Sequence, residues 1–200
     1  IFDQPLTVHA DPLDQCRAAE FAALPEQTCR AYHGRYGAWY AAHGQYLHAL
    51  AAYRKGEDYD AVLQVIQDDA GILLAALSPE EVLAFLDVCP RGTLQAHPLT
   101  LLVLMRRMFT WQQIPKMLEL RALLLAGIEA HPELPDAERD NLLGECDLIM
   151  SFLQYNDIAA MSRLHRSAAA RMTRPAISIR NEGSWTFGSP SVLMMFHRTP

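Results

Sequence analysis

The sequence predicts an all-α fold, a superhelix of stacked antiparallel helix pairs. Three observations predict it. Tyr46, Ala49, Leu50 and Tyr53 recur as Tyr59, Val62, Leu63 and Ile66, and each set has the i, i+3, i+4, i+7 spacing of one helix face. A glycine stands shortly before each set, Gly44 and Gly56, where it can close the preceding helix in a left-handed turn. Ala and Leu dominate while Val and Ile are sparse, which favours helix over sheet. Two short amphipathic helices cannot bury their stripes alone and must stack on neighbours, the logic of a helical repeat.

The elements follow in order. Residues 1–24 are mixed, with Pro5 and Pro12 as breakers, and 14–24 reads as a helix ended by Pro25. Tyr32, Tyr36, Trp39, Tyr40 and His43 form an aromatic stripe on the next helix, which Gly44 stops. Such a stripe is read as core or inter-helix contact in preference to a ligand wall. Helices at 46–54 and 58–76 follow. Ser78-Pro79-Glu80-Glu81 is a helix start with a capping box and proline in the first turn. Val82, Phe85, Leu86 and Cys89 are its buried face, and Pro90 ends it. His97-Pro98 opens a helix running to Phe109. Two longer helices are expected at 113–130 and 135–155. Asn156-Asp157 starts another, with Ile158, Met161, Leu164 and Ala168 inward. After Arg171 a weak alternation at Ile177 and Ile179 leads to a turn, and Ser189-Pro190 begins a last helix at 190–198. Residues 1–29 are a lead-in, and 30–200 read as one continuous repeat domain. Its 13-residue recurrence is shorter than half the roughly 34-residue tetratricopeptide period, so the array is degenerate.

Composition narrows the function. The chain has 200 residues, half of them hydrophobic and 20% charged, as in folded soluble proteins. Its formal net charge of -6 argues against direct nucleic-acid binding. Cys16, Cys29, Cys89 and Cys146 form no CxxC pair and read as thiols of a reducing cytoplasm. No signal peptide opens the chain. The apolar runs 72–77 and 99–105 are too short to span a bilayer, so no membrane partner is expected. A start at Ile1 and an end at Pro200, just after the apolar run 192–196, read as a fragment of a longer protein.

Catalytic signatures are missing. No P-loop, G-x-S-x-G elbow or H-E-x-x-H helix occurs, so no enzyme activity and no cofactor are expected. Cys29 and His33 have i, i+4 spacing, but nothing selects further ligands, and a buried thiol beside an exposed imidazole is the plainer reading. The acidic pairs Asp68-Asp69 and Glu80-Glu81 diverge by about 100° on a helix and read as solvated helix starts. The candidate ligand- or partner-binding residues are Arg106, Arg107, Trp111, Trp185 and Phe187. The two arginines with Trp111 suit an anionic or sugar-like ligand. Their alternative is a basic helix end that complements the macrodipole. Trp185 and Phe187 are large aromatics in a Gly/Ser/Pro turn. They read as a contact surface or as a loop that plugs the superhelix.

Tyr36-Gly37-Ala38-Trp39-Tyr40-Ala41-Ala42-His43-Gly44-Gln45-Tyr46-Leu47-His48-Ala49-Leu50 is similar to the A-x-W-Y-x-x-x-G-x-x-x-x-A-L entry of the helical arm of LuxR-type, MalT-like bacterial transcription regulators. Gly56-Glu57-Asp58-Tyr59-Asp60 resembles the G-D-Y turn that follows it. Residues 156–166 and Trp185-Thr186-Phe187-Gly188-Ser189-Pro190-Ser191-Val192-Leu193 look like a subgroup of the same family. The resemblance covers residues 30–198. It implies a signal-sensing or oligomerisation segment that binds an inducer or partner protein. It also implies that the flanking nucleotide-binding switch and helix-turn-helix domains belong to the same full-length chain, outside these residues. A homo-oligomer fits this reading as well. The expectation from another class is a free-standing scaffold that binds a peptide in its groove. A third is a helical metalloenzyme using Cys29 and His33.

Overall fold

The computed structural model describes residue 21 and residues 23–179. Regular structure among these residues is all helical, nine α-helices and two 3-10 turns with no strand. The chain divides into two compact units, residues 1–58 and 59–200.

In the first unit α1 (Glu26–Ala42) packs on α2 (Tyr46–Lys55). Tyr40 stacks on His48 with ring centroids 5.2 Å apart. Gly37 lies against Tyr53, and Gly56 against His33. Arg30 pairs with Glu57 at 2.7 Å. Position falls along α1 as it rises along α2, so the two helices run antiparallel. A Cβ at Gly37 would sit 2.5 Å from the Tyr53 ring, so this glycine permits the close approach.

The turn between them closes as the sequence predicts. Gly44 has φ 69, with Gln45 N–H donating to Tyr40 O at 2.9 Å and Gly44 N–H to Ala41 O at 3.0 Å, a Schellman motif. The end of α2 differs from expectation. Gly56 has an ordinary φ of -83, and Glu57 at φ 55 takes the left-handed position. Asp58 N–H donates to Tyr53 O and Glu57 N–H to Arg54 O. In the second unit, Ala70 at φ 50 does the same after α3 (Tyr59–Asp68). Left-handed positions 44, 57 and 70 thus keep the interval of the apolar stripes, and only the first is a glycine. The paired backbone hydrogen bonds hold a non-glycine residue there against a steric cost of about 1 kcal/mol.

The expected helix at 58–76 is therefore interrupted. α3 stops at Asp68, Ala70 and Gly71 turn the chain, and a 3-10 turn spans Leu73–Ala76. The Asp69 carboxylate accepts from Leu73 N–H. Then come α4 (Pro79–Val88), α5 (Arg91–Ala96), α6 (Pro98–Thr110), α7 (Ile114–Ala130), α8 (Asp136–Ser151) with a 3-10 turn at Phe152–Gln154, and α9 (Ile158–Arg171). The capping box of α4 is complete. Ser78 Oγ accepts from Glu81 N–H at 3.2 Å, and Glu81 accepts from Ser78 N–H at 2.9 Å. Helix α5, bracketed by Pro90 and Pro98, is absent from the sequence reading because six residues are too few to display a period. His97 does not cap α6. Its ring pairs instead with Asp60 at 3.0 Å. Asp157, not Asn156, caps α9 through Ala160 N–H at 2.8 Å.

The core of this unit centres on α6, where residues 100–105 and Met108 are all buried, as expected of a helix covered on every side. Helices α3 and α6 run parallel. His97 meets Asp60, Thr100 meets Leu63, Arg106 meets Ala70 and Arg107 meets Gly71, at sequence separations of 37, 37, 36 and 36. Helices α8 and α9 run antiparallel, with Ser151 facing His165 and Asp147 facing Ser167, while Gly144 admits Met172. Ala168 is buried on this seam as expected. Ile158, expected inward, is 67% exposed, because the first turn of α9 lies beyond the end of α8.

Candidate functional site

The most conspicuous surface lies on α1. Its seam with α2 is made by His33 and Gly37. At 100° per residue, Arg35 and Trp39 point about 160° away from Gly37. Tyr32, Arg35, Tyr36, Trp39 and Tyr40 line a hollow of about 430 Å³. Tyr36 is 55% and Trp39 53% exposed. Tyr36 and Trp39 are therefore not core, while Tyr40 makes the expected inter-helix contact through His48. The helical wheel identifies which residues share a face, and Gly37 decides which face turns inward.

Neighbouring rings order the face. His43 stacks on Trp39 with centroids 4.1 Å apart, and its Nδ1 lies 2.7 Å from Trp39 O. Trp39 meets Tyr40 edge-on at 5.3 Å. Arg30 is engaged by Glu26 at 2.6 Å and Glu57 at 2.7 Å. Among the described residues, Arg35 has no ion-pair or hydrogen-bond partner. Residues 31–55 contain no Asp or Glu. The surface therefore offers π faces, phenolic and indole donors and one guanidinium.

Arg106 and Arg107 stand together on α6, and each guanidinium donates one hydrogen bond to the main chain. Arg106 donates to Ala70 O at 2.9 Å and Arg107 to Gly71 O at 3.1 Å, holding the turn that ends α3. Burial, and for Arg106 also the neighbouring Arg107 charge, lowers both pKa values from the ordinary arginine value. The Arg107 guanidinium carbon lies 5.4 Å from the centre of the Trp111 ring, a cation–π contact. The structure thus brings Arg106, Arg107 and Trp111 together at the end of α6. Trp185 and Phe187, and the helix expected at 190–198, lie outside the described residues.

Other clusters have local roles. Cys29 Sγ faces Phe21 O at 3.3 Å, and His33 rests edge-on against the Phe21 ring. Among the described residues, no group of three or more metal-binding side chains converges. Ser151 and His165 are 2.9 Å apart, but the buried Ser151 hydroxyl donates its proton to Leu148 O at 2.6 Å. It is an acceptor toward the imidazole and not an activated nucleophile. A second hollow, of about 420 Å³, opens between α5, α7 and the 131–135 turn.

One polar centre has no signal in the sequence reading. Glu145 is fully buried. It accepts from Arg174 at 2.6 Å, from Ile177 N–H at 3.0 Å, and from Ser178 through its N–H at 2.9 Å and hydroxyl at 2.6 Å. Glu138 engages the same guanidinium at 2.7 Å. Burial opposes the Arg174 charge, but these two carboxylates outweigh it and raise its pKa. The weak alternation at Ile177 and Ile179 marked the segment but not its anchor.

No protein-family model, curated protein or solved structure matches the chain. No helix among the described residues is long and apolar enough to cross a membrane.

Proposed function

We propose that this chain is the signal-sensing or partner-binding arm of a LuxR-type transcription regulator, with the aromatic face of α1 as its contact surface. The exposure of Tyr36 and Trp39 side by side with Tyr32 on one helix face carries the reading, since a contiguous exposed apolar patch, unlike scattered exposed residues, marks a contact surface. The residues of the W-Y-x-x-x-G resemblance lie on this helix and its closing turn. The parallel relation of α3 and α6 at a near-constant separation is what consecutive repeat units produce. In this reading the segment works in the cytoplasm, binds an inducer or partner protein, and leaves nucleotide switching and promoter binding to flanking domains. It performs no catalysis.

The test is the reading frame that encodes the chain, followed by promoter assays on the full-length product. A P-loop domain before this segment and a helix-turn-helix domain after it are expected. Tyr36→Ala/Trp39→Ala in that protein should abolish effector-dependent transcription while promoter binding persists. A frame lacking both domains would overturn the regulator reading and leave a free-standing scaffold.

A further inference from the structure

We propose that the α1 face docks an acidic peptide segment of a partner protein, with a carboxylate on Arg35 and apolar or aromatic side chains on Tyr36 and Trp39. The proposal rests on the reading of this face as a contact surface and names the chemistry of its occupant. Charge comes first. The whole chain carries 23 Asp and Glu against 17 Lys and Arg, yet residues 31–55 contain no carboxylate. The acids nearest this stretch, Glu26 and Glu57, are engaged by Arg30. Arg35 is left exposed and unpartnered among the described residues, in the middle of the face. An unpaired guanidinium between aromatic rings matches a carboxylate in both charge and fork geometry.

Shape selects a peptide. The face runs from Tyr32 to Tyr40 along one helix, about 12 Å at 1.5 Å per residue. About four residues of extended chain cover that length. Alternate side chains then meet the rings while the others turn to solvent. The phenol and indole donors are suited to the carbonyls between them. A single-stranded nucleic acid also stacks on exposed rings, but it needs a track of cations along its phosphates. This face supplies one guanidinium.

The experiment uses the intact 200-residue chain and a fluorescently labelled random copolymer of glutamate and tyrosine, read by anisotropy. A lysine–tyrosine copolymer and an oligothymidylate of similar length are the comparison probes. The glutamate–tyrosine copolymer should bind despite the protein's own net charge of -6, and more weakly as salt rises. Arg35→Glu and Tyr36→Ala/Trp39→Ala should each weaken binding at least about tenfold, roughly the loss of one charge-assisted pair. These side chains are exposed, so circular dichroism should remain that of the parent. Absence of binding overturns the proposal, as does binding indifferent to both α1 variants. Preference for the lysine–tyrosine copolymer or the oligothymidylate overturns it too. These failures leave the regulator reading untouched, whereas a reading frame without switch and DNA-binding domains would not affect peptide docking.

Discussion

At Cys89 burial decides the chemistry. The thiol is buried at the end of α4. Burial, reinforced by the nearby Asp60 charge, pushes its pKa up to about 11. Cys146 is shifted upward for the same first reason. A thiol whose folded pKa exceeds its unfolded value keeps its proton longer in the native state. As pH rises from about 9 toward about 11, the unfolded chain ionises first, so stability must fall across that window. Urea titrations at pH 8 and pH 10.5 should show this loss in the parent, and a smaller one in Cys89→Ala. An equal loss in both would refute the assignment. The sequence places Cys89 correctly on the buried face, because Val82, Phe85, Leu86 and Cys89 follow one period. The roles of Arg106 and Arg107 were not readable in the same way. Their partners are the carbonyls of Ala70 and Gly71, 36 residues away, and no local pattern announces a long-range bond.

At the scale of the element, helix ends carry the lesson. Helix α6 closes with Gln112 at φ 58, Gln113 N–H donating to Met108 O at 2.8 Å. Gln112 is exposed, and its side chain makes no hydrogen bond among the described residues. Gln112→Gly should therefore stabilise the protein by about 1 kcal/mol, since glycine adopts the left-handed conformation without a Cβ penalty. A raised denaturation midpoint with unchanged slope is the expected result, and a lowered midpoint would count against it. Starts were more legible than stops. Ser78-Pro79-Glu80-Glu81 displays its capping groups in the sequence, whereas Glu57, Ala70 and Gln112 end helices through backbone bonds that any residue can make. The direction of α1 was illegible for a related reason. Its aromatic period is plain, but the packing of Gly37 on Tyr53 depends on the second helix.

For the whole molecule, all-helical architecture was legible in the described residues because stripe spacing survives even where boundaries slip. The division between Asp58 and Tyr59 was not, since the stripes repeat across it without a break in composition. Also hidden was the path of residues 172–179, which one carboxylate anchors. Glu145→Ala would leave Arg174 without its buried partner and three further donors of residues 177 and 178 without an acceptor. The expected destabilisation is about 3–5 kcal/mol, the usual result of breaking a buried pair from one side. Chemical denaturation of the intact chain measures it, and a change below about 1 kcal/mol would mean that water replaces the lost oxygens without difficulty.

The grip of α6 on the turn after α3 has a mechanical side. Arg106 and Arg107 hold main-chain oxygens of the earlier segment, while Thr100 and His97 hold its helix and its first turn. Because the two strings run in the same direction, a pull along the chain loads these ties together, as a shear joint does, and cannot peel them off one at a time. Any displacement of α6 lengthwise would carry α3 with it. In this unit the two helices therefore form one lever, linked at four points, although dozens of residues separate them in the chain.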